Sequence, residues 1–255
     1  MLELFHYFIA GTFDTSDLSH LDTIIRDRSI NYTLWSIGIL LVLTAIAALL
    51  KKQTNGIKVL LFVSMIGVIT LNTIYLAAST IYKNERSITG GPVHWHADFE
   101  IWNCGKEVDL VDPTGWSNKI GTPVFHEHND KRVHVEGVVL KEGEVSLGQF
   151  FKVTGGNLNQ QNLNVPLNDG TTLDVNNGQD CNGQPGMVQV FAYQTEGDSF
   201  KQQKLLYPED YILSGDSGVP PGDCIIVEFD QPKERTDKLC QSYQVQVELG
   251  KLNEI

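Results

Sequence analysis

The stretch VHWHADFEIW, residues 93–102, alternates without a break. Val93, Trp95, Ala97, Phe99 and Ile101 form one set, and His94, His96, Asp98, Glu100 and Trp102 form the other. Period two is the side-chain period of a β-strand, so the stretch predicts a half-buried strand with one apolar face and one face of histidines and acids. The turn NCGK (103–106) leads into EVDLV (107–111), which predicts a hairpin. A second hairpin is written in TPVFHEHNDKRVHVEGVVL (122–140), with Asn129, Asp130 and Lys131 at its turn. Further strands are predicted over MVQVFAY (187–193), CIIVEF (224–229) and YQVQVEL (243–249), and Asp169-Gly170 marks a tight hairpin between NVPL and TTLDV. Only SLGQFFKV (146–153), opened by Ser146 and closed by Gly155-Gly156, reads as a short helix. Residues 87–255 therefore form a mostly-β domain.

Before this domain the pattern is different. Ser29 to Leu50 and Val59 to Tyr82 contain no charged residue. At about 1.5 Å per residue each is long enough to cross a hydrocarbon core of about 30 Å. Two such stretches separated by one short polar loop predict a transmembrane hairpin, with helices over 29–50 and 59–82. Tyr32, Trp35 and Tyr82 lie where an interfacial aromatic belt would fall, and Asn72 reads as a helix–helix hydrogen bond. The loop 51–58 carries Lys51, Lys52 and Lys58 and no acid, which places it in the cytoplasm. Residues 1–28, with five acids and Arg26 and Arg28, and the C-terminal domain then lie outside. The apolar residues of that N-terminal segment fit either one or two short helices lying on the outer membrane face or a flexible tail. The fold class is thus mixed: a two-helix membrane anchor followed by a mostly-β extracytoplasmic domain. The localisation is the cell membrane, multi-pass, and the lipid bilayer is a partner.

The charge balance narrows the other partners. With 19 Lys and Arg against 31 Asp and Glu, the net charge of -12 disfavours nucleic acid and anionic lipid, both of which need a basic surface. All four cysteines (Cys104, Cys181, Cys224, Cys240) fall in the C-terminal domain without a C-x-x-C pair. An even count in an exported domain reads as two disulfides. Of three pairings, Cys224 with Cys240 is favoured because the two bracket the loop between adjacent predicted strands, which leaves Cys104 with Cys181.

Of seven histidines, five lie between positions 94 and 134. His94 and His96, and again His126 and His128, stand two apart, a spacing that points both rings to one face of a strand. The turn after His128 brings His134 back beside them, and Glu136 shares its face. Neutral imidazoles converging this way suit Zn or Cu(II). The candidate metal ligands are His94, His96, His126, His128 and His134, with Glu136, Asp98 and Asp130 as added ligands or as acceptors that orient the rings. Both a three-histidine site with an open position and a closed four-ligand site are compatible with this set. The three methionines lie elsewhere, which disfavours a Cu(I) thioether site. The competing reading is a polar face on which histidines hydrogen-bond to acids or sense protons; it predicts raised imidazole pKa values. Asp174, Asn176 and Asp180 lack the glycine and the distal glutamate of a calcium loop and read as a turn. No nucleophile motif or P-loop is present.

The run GGPVHWHADFEIWNCGKEVDL, with FHEHNDKRVHVEGV and SLGQFF behind it, resembles a family of membrane-anchored proteins from ultra-small candidate-phylum bacteria. More distantly it is similar to exported archaeal and bacterial domains with a recurring pattern: His-x-His-Ala, His-x-His-Asp, Ile-His-Ile-Glu and Leu-Gly-x-Phe-Phe. The matches are His94, His96 and Ala97; His126 and His128; His134 and Glu136; and Leu147, Gly148, Phe150 and Phe151. Asn129 stands where the pattern has Asp, although Asp130 follows. The resemblance implies the positions of a site and leaves its chemistry open. The expected function is extracytoplasmic metal binding, for binding or sensing at the cell surface. Two alternatives are a metal-dependent hydrolase or oxidase on the same residues, and an assembly module whose sheet and Phe150–Phe151 helix dock a cell-surface protein.

Overall fold

In a computed structural model, which describes residues 21–116, 118–213 and 222–254, the chain divides into two units at Gly90–Gly91. The first holds two helices long and apolar enough to cross a membrane, α1 (Leu21–Leu49) and α2 (Asn55–Arg86). They run antiparallel: Asp22 at the start of α1 pairs with Lys83 near the end of α2, and Tyr32 meets Tyr75 edge-on at 4.6 Å. Thr54 caps α2 by accepting from the Ile57 amide (3.4 Å). The turn between the helices is therefore shorter than the lysine loop read from the sequence. Residues 21–28, assigned to the outer segment, belong to α1, and residues 1–20 lie outside the described residues.

The second unit is mostly β. Its strands are β1 (Pro92–Asn103), β2 (Lys106–Val108), β3 (Ile120–Gly121), β4 (Phe125–Glu127), β5 (Arg132–Val138), β6 (Asn157–Leu158), β7 (Asn162–Pro166), β8 (Thr172–Asn176), β9 (Asp180–Cys181), β10 (Gln184–Pro185), β11 (Met187–Glu196), β12 (Ser199–Leu205), β13 (Asp223–Asp230) and β14 (Asn253–Glu254). Among the described residues the largest sheet has nine strands, in the order β14-β12-β11-β13-β1-β5-β4-β3, with β2 added on β1. β6, β7 and β8 form a separate three-stranded sheet. The strand over 93–102, all three hairpins and the strands over 187–193 and 224–229 are where the sequence puts them.

Two helices flank the sheet. α3 (Leu147–Val153) is capped by Ser146, whose hydroxyl accepts from the Gln149 amide (3.3 Å). The second, α4 (Gln241–Glu248), corrects two expectations: YQVQVEL is a helix, and SLGQFFKV is not the only one. The reason is tertiary. β13, the strand it was expected to join, already has β1 on one edge and β11 on the other, so no edge is free. Tyr243 instead turns inward, its hydroxyl donating to the Gly222 carbonyl (2.7 Å), while Val245 and Val247 stay exposed.

The main core lies between one face of the large sheet and a layer made of α3 and β6–β8. Ala97, Phe99, Val133, Val135 and Phe125 meet Phe150 and Phe151 there, with Phe99 and Phe125 5.2 and 5.6 Å from the Phe150 ring. Both phenylalanines of α3 are fully buried, so that helix has no such apolar face to offer a docking partner. A smaller core covers the other face over β11, β12 and β13, built on Tyr243, Phe191 and Phe200. The disulfides are Cys104–Cys181 and Cys224–Cys240, the favoured pairing. Cys240 precedes a helix rather than a strand, but it still lies against Cys224, from whose sulfur its amide is 3.1 Å away.

Candidate metal centre

The small core reaches Trp102 at the end of β1 but does not extend over β5 and β4, and there the face opposite Phe150 carries the histidines. Register puts them in a row: His96 lies across from His134, and His134 across from His126. His94 lies across from Glu136. The His134 ring is the hub, with centroids 4.8 Å from His96, 4.8 Å from His128 and 5.7 Å from His126, on which it stacks. All five histidines are therefore contiguous. Each H-x-H pair converges as its spacing requires, with Nε2–Nε2 separations of 2.9 Å for His94–His96 and 3.1 Å for His126–His128.

The direction in which each ring presents its lone pair decides what the row can hold. A backbone carbonyl only accepts, so a ring nitrogen against one must carry its proton. His126 Nδ1–H donates to the Thr122 carbonyl (3.1 Å), and His128 Nδ1–H donates to the Asn118 carbonyl (2.5 Å). In the neutral rings both Nε2 atoms then carry lone pairs, and they face each other at 3.1 Å with no proton between them. Glu136 Oε2, a third acceptor, is 3.5 Å from His126 Nε2. His134 repeats the pattern: its Nε2–H donates to Asp130 (3.0 Å), and its Nδ1 is buried without a hydrogen-bond partner. Two imidazoles thus turn acceptors on each other and a third buries one without a partner, and only a cation or a donor would satisfy them.

Electrostatics keep two of the rings neutral. Burial lowers His126 to about 4, aided by the Lys119 charge. Burial also lowers His96, with the neighbouring His134 and His94 adding to it. These directions run against the hydrogen-bonded alternative, which needs acids to raise the imidazoles. Burial works to raise the Asp130 carboxyl, but the His134 hydrogen bond and surrounding positive charges outweigh it and hold Asp130 below its ordinary value.

Of the eight sequence candidates, six fall into two groups whose donor atoms lie within 4.8 Å of one another: His94, His96 and His134; and His126, His128 and Glu136. Asp130 holds the His134 tautomer. Asn129, exposed at the turn with φ 65°, takes the left-handed conformation that Asn tolerates. Asp98 lies on the right face but is paired with Arg132 (2.5 Å), directly across the strand pair, and does not join either group. The turn itself is held by buried Glu127, which accepts from the amides of Asp130 (2.7 Å) and Lys131 (3.2 Å); burial pushes its carboxyl up.

Sequence reasoning missed the orienting groups. Thr122 and Asn118 act through backbone carbonyls, which no side-chain motif announces. Gly121 carries the nearest signal: at φ 115° a Cβ there would come within 2.5 Å of the Phe125 carbonyl, so only glycine lets β3 close on β4. Beside the row, Asp98, Asp130, Arg132, Gln241, Ser242 and Gln246 help to line a cavity of about 350 Å³. Comparison with protein-family models, with curated proteins and with solved structures finds no match.

Proposed function

We propose that the chain is a membrane-anchored extracytoplasmic protein that binds Zn or Cu(II) on its histidine face, for binding or sensing at the cell surface. The observation that carries this reading is the set of unsatisfied lone pairs: His126 and His128 Nε2 facing each other, and His134 Nδ1 buried without a partner. Such a set is what a metal site requires before the ion arrives. The membrane part is supported by the helices, whose most apolar windows are 0% and 6% buried, unlike the core helix of a soluble protein. The lysine loop supports the orientation, and the two disulfides suit an oxidising compartment. The likeness to membrane-anchored candidate-phylum proteins agrees with the same arrangement.

Metal analysis of the full-length protein, purified without a histidine tag, tests this directly. Bound Zn or Cu is the expected result, with chelator lowering thermal stability near pH 7.5 and changing little near pH 5. A protein that holds neither metal after loading, and is indifferent to chelator, sinks the reading. Orientation is tested separately: proteases that cannot cross the membrane should cut the C-terminal domain and spare residues 51–58. The second reading, a metal-dependent hydrolase or oxidase, is favoured by the cavity that reaches Asp130 beside His134. Turnover of a model ester or phenol that requires added metal would select it.

A further inference from the structure

The histidine face is divided between two sets of donors, and we propose that it holds two metal ions bridged by Glu136; this rests on the metal-binding reading above. His94, His96 and His134 make one set, and His126 and His128 with Glu136 make the other. Glu136 stands between them and offers one carboxylate oxygen to each side. Its Oε1 is 3.4 Å from His94 Nε2, and its Oε2 is 3.5 Å from His126 Nε2.

The spacings fit ions in both places. Donors bonded at about 2.0–2.2 Å around a tetrahedral ion sit roughly 3.3–3.5 Å from one another. The nitrogen–nitrogen separations of 2.9 and 3.1 Å fall within a few tenths of that, and the two nitrogen–oxygen separations match it. A carboxylate with one oxygen toward each set is the arrangement of two-metal sites, which hold their ions about 3.5–4 Å apart. Each set also has its own reason to want a cation: facing lone pairs at His126 and His128, and the unpartnered buried Nδ1 at His134. The sets differ in access, with the His94 side chain 63% exposed and that of His126 fully enclosed.

The test uses the full-length, untagged chain in detergent, loaded separately with Zn(II) and Cu(II), desalted and counted for metal. The copper form is also examined by EPR. Two ions per chain are expected, and the mononuclear Cu(II) signal should fall well below that of the same copper free in solution, because a bridged pair couples. The His94→Ala/His96→Ala variant removes an exposed and a half-buried ring, so the fold tolerates it; it should hold one ion and recover the full mononuclear signal per copper. Glu136→Gln, of nearly the same shape, should lose the coupling. One ion per chain in the parent protein overturns the pair while metal binding survives. Two ions with undiminished signal, or coupling that persists in Glu136→Gln, overturn the bridge. No ion of either metal overturns the metal-binding reading itself.

Discussion

Under β1, β5 and β4, Ala97, Val133, Val135 and Phe125 are at most 2% exposed, while on the other side of the same strands His94 keeps 63% of its side chain in water. Both faces descend from one alternating pattern, and they share every backbone hydrogen bond. What separates them is what lies against each: α3 and the small sheet below, and above only neighbouring imidazoles, carboxylates and Arg132, with a cavity between Asp98, Asp130 and α4. The difference teaches where stability and chemistry reside. The lower face supplies the folding free energy, and its rigidity lets the upper face keep unpaired acceptors close together. Damage to one face should therefore register in a different measurement from damage to the other.

The largest effect should come from the lower face. Phe150→Ala empties a fully buried position between Phe99 and Phe125 and should cost about 3–5 kcal/mol. For a domain of this size that lowers Tm by on the order of 10 °C, while metal bound per folded chain stays unchanged. An unfolding free energy lowered by less than about 1 kcal/mol would break the division between faces.

Acid should come next, acting through the upper face. In the metal-free protein His126 is held at about 4, well below its ordinary 6.5, so the unfolded chain takes up a proton that the folded chain refuses. This contribution is complete above pH 6.5 and is lost as pH falls toward 4, with a total of about 3 kcal/mol. His96, also lowered, acts in the same sense. Thermal melts of chelated protein between pH 7 and pH 4.5 check this; His126→Gln should flatten the slope, and an unchanged slope would reassign it.

Arg132→Met probes the boundary between the two roles. It strips Asp98, largely buried, of its partner and should cost about 1–3 kcal/mol without changing metal content. Loss of metal in this variant would return Asp98 to the ligand set. The smallest stability effect belongs to His94→Ala, within about 0.5 kcal/mol in the metal-free protein because the ring is exposed. Metal affinity should nevertheless drop by more than the roughly tenfold that losing an outer partner costs, as read by competition with a chelating dye.

Much of this was legible in residues 93–140, because both the strand period and the two-residue histidine spacing are properties of the chain itself. Glu136 could be placed on the histidine face from its spacing to His134. Three things could not. The partner of Asp98 depends on the Asp98–Arg132 register, which is fixed by how β5 slides on β1. The ring tautomers depend on backbone carbonyls of residues 118 and 122, and the Asn118 side chain also donates to the His128 carbonyl (3.3 Å), a contact that needs the two distant segments side by side. YQVQVEL has a strand's alternation, but whether it becomes a strand depends on a free edge, and occupancy of that edge was decided by β1 and β11. In each case the missing information was a pairing between distant segments.

One such pairing bears on the order in which the domain is made. β1 runs parallel to β13, Ala97 beside Asp223 through Asn103 beside Phe229, so the second neighbour of the first strand comes from near the end of the chain. The other neighbours of the histidine row, β4 and β5, follow within a few dozen residues and join by local antiparallel pairing. Closing the long loop carries an entropic cost before any contact is gained, which makes parallel, distant pairings slow. Folding of the whole domain should thus keep the pace of the β1–β13 closure, and a conservative change such as Ile225→Val would register it in refolding kinetics. During synthesis the histidine row can assemble on a sheet whose other half does not yet exist, leaving β1 with an open edge. The first strand made waits for one of the last-made strands to enclose it, and its imidazoles are available to an ion throughout that interval.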